Sequence, residues 1–186
     1  QDILIISGAV GGLLTEILKH PVRRIDYAEL DPMIFTVLDR YPTDLTSKEL
    51  KDGRVKVIST DGRYFVRSTK DYYDLVLLGL SKPTDLSTNR FFTREFFSLV
   101  ARRLTRGGVF SFCLPGSLTY ISKEVRDLNL SILTSLKDVF KFVRVIPGDY
   151  NLIIASNDQG LLAVGPGALY QRLQQRNIAR TLLVPS

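Results

Sequence analysis

A chain of 186 residues, 45% hydrophobic and 24% charged, has the composition of one ordinary globular domain. Its single cysteine, Cys113, excludes a disulfide framework, and its single histidine, His20, leaves too few ligands for a zinc site of the usual spacing. The net charge of +6 comes from short, scattered groups of arginine and lysine with no block of five like charges, which favours solvated faces of helices and loops over a nucleic-acid-binding tract.

The sequence contains no signal peptide and no apolar run near the ~20 residues that cross a membrane. The chain starts at Gln1, directly in an apolar run, so we expect a piece of a longer protein.

In chain order the first half predicts a strand at 3–6, a turn at 8–12, a helix ended by Pro21, a strand at 24–30, a helix that Asp31 caps and Pro32 begins, a polar loop at 41–53, a strand at 54–60 and a helix at 61–68.

The second half predicts a strand at 74–80, a polar loop at 81–90, a helix at 93–104 closed by Gly107 and Gly108, a strand at 109–114, a helix at 122–140, strands at 142–146 and 152–156, and a last helix at 168–178. Five alternations of strand and helix imply right-handed crossovers and a parallel sheet. The last two strands have no helix between them and should pair as an antiparallel hairpin.

This pattern predicts an α/β, class I methyltransferase-like (Rossmann-like) fold with a mostly parallel seven-stranded sheet ending in an antiparallel hairpin. We expect one domain over residues 1–186. The second helix should bury an apolar stripe of Met33, Ile34, Val37, Leu38 and Tyr41. Four phenylalanines exceed one core stripe, so we expect some at the mouth of a pocket or against another domain: Phe91, Phe92, Phe96 and Phe97.

Ligands of an open parallel sheet bind at the carboxyl ends of its strands. After the first strand, a loop of small residues over 7–12 contains Gly8, Ala9 and Gly11. Small residues let the backbone approach a ligand, and the following helix start presents free N–H groups. A tight strand-to-helix turn without a ligand explains the same residues equally well.

Glu29 ends the second strand, 21 residues beyond Gly8. An acid at about this distance grips a nucleoside ribose, because a carboxylate accepts hydrogens from two hydroxyls. The alternative is a surface acid or a helix cap. Since Asp31 already provides the cap, the sequence favours the ribose role for Glu29.

Asp61 and Gly62 follow the third strand. This carboxylate can accept from an adenine amine while the glycine leaves room for the ring. The alternative, an N-cap for the helix at 61–68, is compatible with the same side chain. After the fourth strand, Gly79 begins a loop whose only acid is Asp85, and no adjacent pair of carboxylates offers a general base.

Several phrases together resemble the spermidine synthase (polyamine aminopropyltransferase) family over residues 3–156. They are Leu-Lys-His-Pro at 18–21, Glu-Leu-Asp-Pro at 29–32, Arg-Val at 54–55, Asp-Gly-Arg at 61–63, Tyr-Asp-Leu-Val at 73–76, Asn-Arg-Phe-Phe-Thr-Arg-Glu-Phe-Phe at 89–97 and Gly-Gly-Val at 107–109. The stretch at 89–97 is most similar to the bacterial branch whose domain is fused to membrane-spanning segments.

The resemblance implies a nucleoside donor, decarboxylated S-adenosylmethionine or S-adenosylmethionine, without a metal. Glu29 would hold the ribose, Asp61 the adenine amine and Gly62 the ring edge, while the loop with Gly8, Ala9 and Gly11 would border the sulfonium end and Gly79 would line the site. It also implies a polyamine acceptor, a cytoplasmic location and the possibility of a homodimer. The family's N-terminal β-hairpin domain is expected to lie outside these residues.

Three departures from the family pattern concern its acids. The family's glycine loop carries an aspartate that recognises the donor's amino end, and Val10 stands in that position. Its fourth-strand loop carries two more, where this chain has Gly79 and Lys82, and Lys82 would repel a cationic diamine. The alternatives are therefore an S-adenosylmethionine-dependent methyltransferase and an inactive binding module of a larger membrane protein.

Overall fold

The computed structural model describes residues 1–44, 46–161 and 165–178. Its strands are β1 (Asp2–Ile6), β2 (Arg24–Glu29), β3 (Val55–Ser59), β4 (Tyr73–Leu78), β5 (Leu104–Pro115), β6 (Phe142–Ile146) and β7 (Tyr150–Ser156). Its helices are α1 (Leu13–Leu18), α2 (Met33–Arg40), α3 (Thr46–Glu49), α4 (Gly62–Ser68), α5 (Leu86–Asn89), α6 (Arg94–Ala101), α7 (Lys123–Lys137) and α8 (Pro166–Gln175).

The described strands form a seven-stranded sheet with the order β3-β2-β1-β4-β5-β7-β6. Strands β1 to β5 pair in parallel, whereas β7 pairs antiparallel with both β5 and β6. The predicted fold class is confirmed. The strand order reverses direction between β1 and β4, which places the switch point of the sheet beside the glycine loop.

The core lies on both faces of β1, whose five residues are all buried. One face packs against α4, α6 and α7, and all four phenylalanines of the 89–97 stretch lie there, at 6% exposure or less. The expectation that some of them reach a pocket mouth was wrong. Phe97 and Phe110 explain why, since they extend the aromatic packing across α6 and β5 with a ring-centroid separation of 5.9 Å.

Helix α2 departs from the predicted apolar stripe. Met33, Val37 and Tyr41 are 60%, 51% and 65% exposed, and no residue of α2 is fully buried. The helix meets the core through Phe35, whose ring packs edge-on against Tyr27 at 5.8 Å. Helical spacing identified an apolar face, but the position of α2 near the edge of the sheet turned most of that face to solvent.

Two predicted boundaries were wrong for a common reason. Gly107 and Gly108 lie inside β5 rather than closing α6, because Gly107 has a φ of +80° and the register between β4 and β5 shifts there. The loop at 81–90 contains α5, whose N-cap Asp85 forms a capping box with Thr88. In both places local backbone geometry, a register shift at β5 and a capping box at α5, sets the boundary instead of the apolar pattern.

The described helices include none long and apolar enough to cross a membrane. Within the same residues, no three side chains of the metal-binding types gather in one place. The fusion to membrane segments, the cytoplasmic location and the extent of the domain stay predictions.

Candidate nucleoside site

The carboxyl ends of β1, β2 and β4 converge on one point. The N–H of Gly79 donates to the carbonyl oxygen of Ile6 at 2.8 Å, which joins the end of β4 to the end of β1. The N–H of Ser7 donates to Ala28 at 2.9 Å, which joins β1 to β2. The chain therefore brings Gly8, Glu29 and Gly79 together, as the strand pattern predicts.

Glu29 is 5% exposed and its carboxylate already accepts several hydrogen bonds. The shorter ones come from the Tyr27 hydroxyl at 2.8 Å and the Leu30 N–H at 2.9 Å. The longer ones come from the Ser7 hydroxyl at 3.2 Å, the Gly8 N–H at 3.4 Å and the Asp31 N–H at 3.5 Å. Two firm partners orient the carboxylate, and two weaker partners lie on the glycine-loop side.

Tyr27 supports Glu29 from inside the sheet. Its side chain is fully buried, and burial, reinforced by the hydrogen bond to Glu29, raises the pKa of the phenol well above its usual range. The hydroxyl therefore stays protonated and acts as a permanent donor. Sequence reasoning missed this residue, although its position two residues before Glu29 on the same strand face was available as a signal.

Close packing explains why glycines follow the strand ends at positions 8, 62 and 79. A Cβ on Gly79 would lie 2.1 Å from the carbonyl oxygen of Ser7, and a Cβ on Gly62 would lie 2.3 Å from the Ile6 side chain. Gly8 has a φ of +68°, and its Cβ would meet Gly79 at 3.0 Å. The structure thus provides a packing reason for these glycines that does not need a ligand.

Asp61 performs the capping role that the sequence offers as an alternative. One carboxylate oxygen accepts from the Tyr64 N–H at 2.9 Å, at the start of α4. The other oxygen pairs with the guanidinium of Arg90, which also lies over the Phe91 ring at 5.1 Å. Arg90 belongs to the 89–97 stretch, but its contact with Asp61 spans 29 residues and was not predicted.

The loop after β4 offers no carboxylate free for catalysis among the described residues. The side chain of Asp85 accepts from the Thr88 N–H at 2.8 Å as the cap of α5. The Ser87 hydroxyl and that N–H lower the pKa of Asp85 to about 2. Lys82 is exposed in the same loop.

Glu49 is a second buried carboxylate at this end of the sheet, and sequence reasoning missed it. It lies at the end of α3, is 1% exposed and reaches the glycine loop. Its two oxygens accept from the N–H groups of Gly11 and Gly12 at 3.2 and 2.9 Å. It stands in a polar loop with no motif around it, so the sequence carries no signal for this contact.

Comparisons with known proteins agree with the fold and the family. A family model described as the spermine/spermidine synthase domain matches residues 1–158. A polyamine aminopropyltransferase of Korarchaeum cryptofilum is 36% identical over 109 residues, covering 59% of this chain and 34% of the relative. One from Prochlorococcus marinus is 29% identical over 155 residues, covering 82% and 52%. The chain therefore spans about a third to a half of the length of these relatives.

Two solved structures share the fold over 98% of this chain. A spermidine synthase in complex with the transition-state analogue AdoDATO has a TM-score of 0.76 at 24% identity and is covered over 62% of its length. Human methyltransferase-like protein 13 in complex with SAH has a TM-score of 0.70 at 19% identity and is covered over 84%. At these identities the likeness establishes the fold alone. The match of the family model over most of the chain shows that it belongs to the spermine/spermidine synthase domain family.

Proposed function

We propose that this domain binds a nucleoside thioether of the decarboxylated S-adenosylmethionine class and presents it for aminopropyl transfer to an amine. The observation that carries the proposal is the buried Glu29 carboxylate at the carboxyl end of β2. Family membership supports the same class of ligand. Two structural neighbours, solved in complex with AdoDATO and with SAH, are consistent with this class of ligand.

Glu29 fits a ribose because of the way its hydrogen bonds are divided. Tyr27 and Leu30 hold the carboxylate in place, while the bonds from Ser7 and Gly8 are long at 3.2 and 3.4 Å. Two ribose hydroxyls can replace the long bonds without disturbing the short ones. A carboxylate offers the acceptor sites that such a bidentate contact needs.

Adenine binding through Asp61 requires a rearrangement. Both of its oxygens already have partners, the Tyr64 N–H and the Arg90 guanidinium. We propose that the adenine amine shares the oxygen bound by Arg90 and that Gly62 borders the ring. The proposed nucleoside contacts are thus Glu29, Asp61 and Gly62, with Gly8, Ala9, Gly11 and Gly79 around the sulfonium end.

The transfer step must balance one proton. The acceptor nitrogen bonds to the aminopropyl carbon beside sulfur, the carbon–sulfur bond breaks with its electron pair on sulfur, and 5′-methylthioadenosine leaves. The acceptor ammonium first releases one proton to solvent, since Asp85 is engaged as a cap, and the product nitrogen then keeps the positive charge that the sulfonium loses. Because amine pKa values lie near about 10, we expect the transfer rate of this chain to rise with pH until the free amine dominates.

The binding proposal is tested by calorimetric titration with 5′-methylthioadenosine, decarboxylated S-adenosylmethionine and S-adenosylmethionine. Glu29→Ala should weaken the binding of all three at least tenfold, about 1.4 kcal/mol. The matched control is Glu16→Ala, which removes an exposed acid from α1. Absence of binding by the wild-type chain at millimolar concentration contradicts the proposal.

The transfer proposal needs a separate measurement. The chain is incubated with decarboxylated S-adenosylmethionine and a panel of diamines and triamines from pH 7 to 10, and release of 5′-methylthioadenosine is followed. Appearance of that product, increasing with pH, supports aminopropyl transfer. Nucleoside binding without this product against any amine restricts the function to binding, and methylated product from S-adenosylmethionine assigns a methyltransferase instead. Polyamine binding and homodimer formation stay predictions.

A further inference from the structure

A groove between α4 and α6, outside the proposed nucleoside contacts, is lined by three arginines. Its volume is about 430 Å³, which is enough for a small ligand. The described residues that line it are Arg63 of α4 together with Arg94, Glu95, Ser98, Leu99 and Arg102 of α6 and its C-terminal end. Since Glu95 is the one acid among them, the lining carries an excess of positive charge.

The arginines of this groove have no carboxylate at contact distance. Within the part of the chain that the structure describes, none of the three forms an ion pair within 4 Å. Several arginines elsewhere in the chain do pair with a carboxylate, namely Arg23, Arg24, Arg54, Arg90 and Arg126. The groove therefore differs from the other basic positions of the fold, because its guanidinium groups are left for a ligand.

The local structure does not explain why these positions carry arginine. Arg63 donates from its guanidinium to the carbonyl oxygen of Arg90 at 2.6 Å, which uses one of its five N–H donors. Arg94 is the first residue of α6, where a positive charge opposes the helix dipole. The stability of α6 therefore gives no reason for a cation at position 94, and a bound anion does.

The spacing of the arginines indicates the length of the ligand. Arg94, Ser98 and Arg102 follow one another at intervals of four residues, which places them in one row along α6. At 1.5 Å of rise per residue, the two ends of this row are about 12 Å apart. Arg63 lines the same groove from α4. Several linked anionic groups can contact both ends of the row at once, whereas a single phosphate contacts one end or the other.

We propose that the groove between α4 and α6 is a binding site for a short chain of linked phosphate groups, held by Arg63, Arg94 and Arg102. A guanidinium group matches the spacing of phosphate oxygens with two parallel N–H donors. Leu99 packs against the hydrophobic core and gives the groove an apolar wall. The site does not involve Glu29, so it is independent of the proposed nucleoside function.

Glu95 gives the site a built-in opposing charge. Hydrogen bonds from its own N–H and the Thr93 hydroxyl, and the positive charges of Arg63 and Arg94, lower the pKa of its carboxyl group. Glu95 therefore stays ionised at neutral pH and repels an anion in the groove. Removal of this one charge should strengthen phosphate binding, an effect opposite in sign to removal of an arginine.

Calorimetric titration of the chain with inorganic phosphate, pyrophosphate and tripolyphosphate tests the site. The titrations are made at about 0.15 M salt, where the Debye length of about 8 Å screens diffuse attraction to the basic surface as a whole. We expect the affinity to increase from phosphate to tripolyphosphate, because the longer chain contacts more arginines. Equal affinities for the three anions, or no binding of tripolyphosphate, contradict the proposal.

Four variants locate the binding on the molecule. Arg94→Gln and Arg102→Gln change exposed side chains and should each weaken tripolyphosphate binding about tenfold. Glu95→Gln should strengthen it about threefold. The matched control is Arg126→Gln, which removes the same charge from α7 and should leave the affinity within twofold. Equal weakening by Arg126→Gln would show attraction to the net charge alone and would overturn the proposal.

Competition and a second polyanion separate this groove from other sites. 5′-Methylthioadenosine carries no phosphate, so a saturating amount should leave the affinity for tripolyphosphate unchanged. Displacement of tripolyphosphate by this nucleoside would place the anion in the nucleoside site and overturn the proposal. Binding of an RNA oligonucleotide without binding of tripolyphosphate would identify a nucleic-acid surface instead and would also overturn it.

Discussion

At Gly79 the chain has no room for a side chain, because a Cβ would lie 2.1 Å from the Ser7 carbonyl oxygen and 3.0 Å from the Gly8 Cα. Both of these neighbours are backbone atoms, which cannot swing aside as a flexible side chain can. Ser7 itself has a φ of +58°, so the loop already holds one non-glycine residue in the left-handed region. The backbone therefore leaves no room for an acid at position 79 unless Ser7 or Gly8 shifts.

Gly79→Ala should destabilise the chain by about 1–3 kcal/mol, the usual effect of overpacking a close contact. Urea denaturation followed by circular dichroism measures this change. The control is Gly53→Ala, because a Cβ at Gly53 meets nothing within 4 Å, and we expect a change within about 0.5 kcal/mol. Equal stability of the two variants would show that the strand ends relax more easily than the contact implies.

At the residue scale, the sequence predicted the positions of side chains that directly follow strands. It missed the contacts of side chains that reach from one loop to another. Glu29 and Asp61 were placed correctly at strand ends because strand and turn patterns are local. Glu49 contacts residues 34 to 38 positions away, and Arg90 contacts Asp61 at a separation of 29. No local pattern encodes such pairs, since they depend on where two loops meet after the sheet has formed.

At the scale of elements, the two amphipathic helices α2 and α6 have opposite outcomes. Helix α6 buries Phe96, Phe97 and Val100 against the sheet, whereas α2 buries no residue fully. Both carry an apolar pattern of helical period in the sequence. Periodicity therefore predicted that the helices exist, and the distance of each helix from the centre of the sheet decided how much of its apolar face is covered.

Phe97→Ala and Val37→Ala test this difference. Phe97 is fully buried and packs against Phe110 and Phe112, so its truncation should destabilise the chain by about 3–5 kcal/mol. Val37 is 51% exposed, and its truncation should change stability by less than about 0.5 kcal/mol. Thermal unfolding of the two variants measures the contrast, and a large effect at Val37 would mean that another surface covers α2 in solution.

For the whole molecule, charge is divided between the two ends of the parallel strands. The carboxyl ends hold Glu29 and Glu49, which are bound mainly by N–H and O–H groups. The amino ends hold Asp2 and Asp26, which face Arg23 and Arg24. The first two carboxylates have no ion-pair partner among the described residues, whereas the second two face arginines.

Acid stability is expected to depend on carboxylates far from the site. Bonds from Arg54 lower the pKa of Asp52 from its usual 3.8 to about 2, and the N–H of Asp2 lowers the pKa of Asp74. A lowered pKa in the folded state stabilises it above the unfolded pKa, and this contribution is lost as the pH falls through the folded pKa. The free energy of unfolding should therefore decrease between about pH 4 and pH 2.

Asp52→Asn should flatten part of this decrease, because its proton uptake on unfolding is removed. Urea denaturation at a series of pH values measures the slope. Asp39→Asn, at an exposed carboxylate of α2, is the control and should keep the wild-type slope. An unchanged slope in Asp52→Asn would assign the acid sensitivity to other groups such as Asp74.

The contact between Gly79 and Ser7 also constrains how this chain can evolve. The end of β1 follows a path that closes around a glycine at position 79. A single substitution to aspartate at this position meets the backbone before it can supply any chemistry. A carboxylate at position 79 therefore needs an accompanying shift of the backbone at Ser7 or Gly8, so we expect an acid engineered here to require a second substitution beside it.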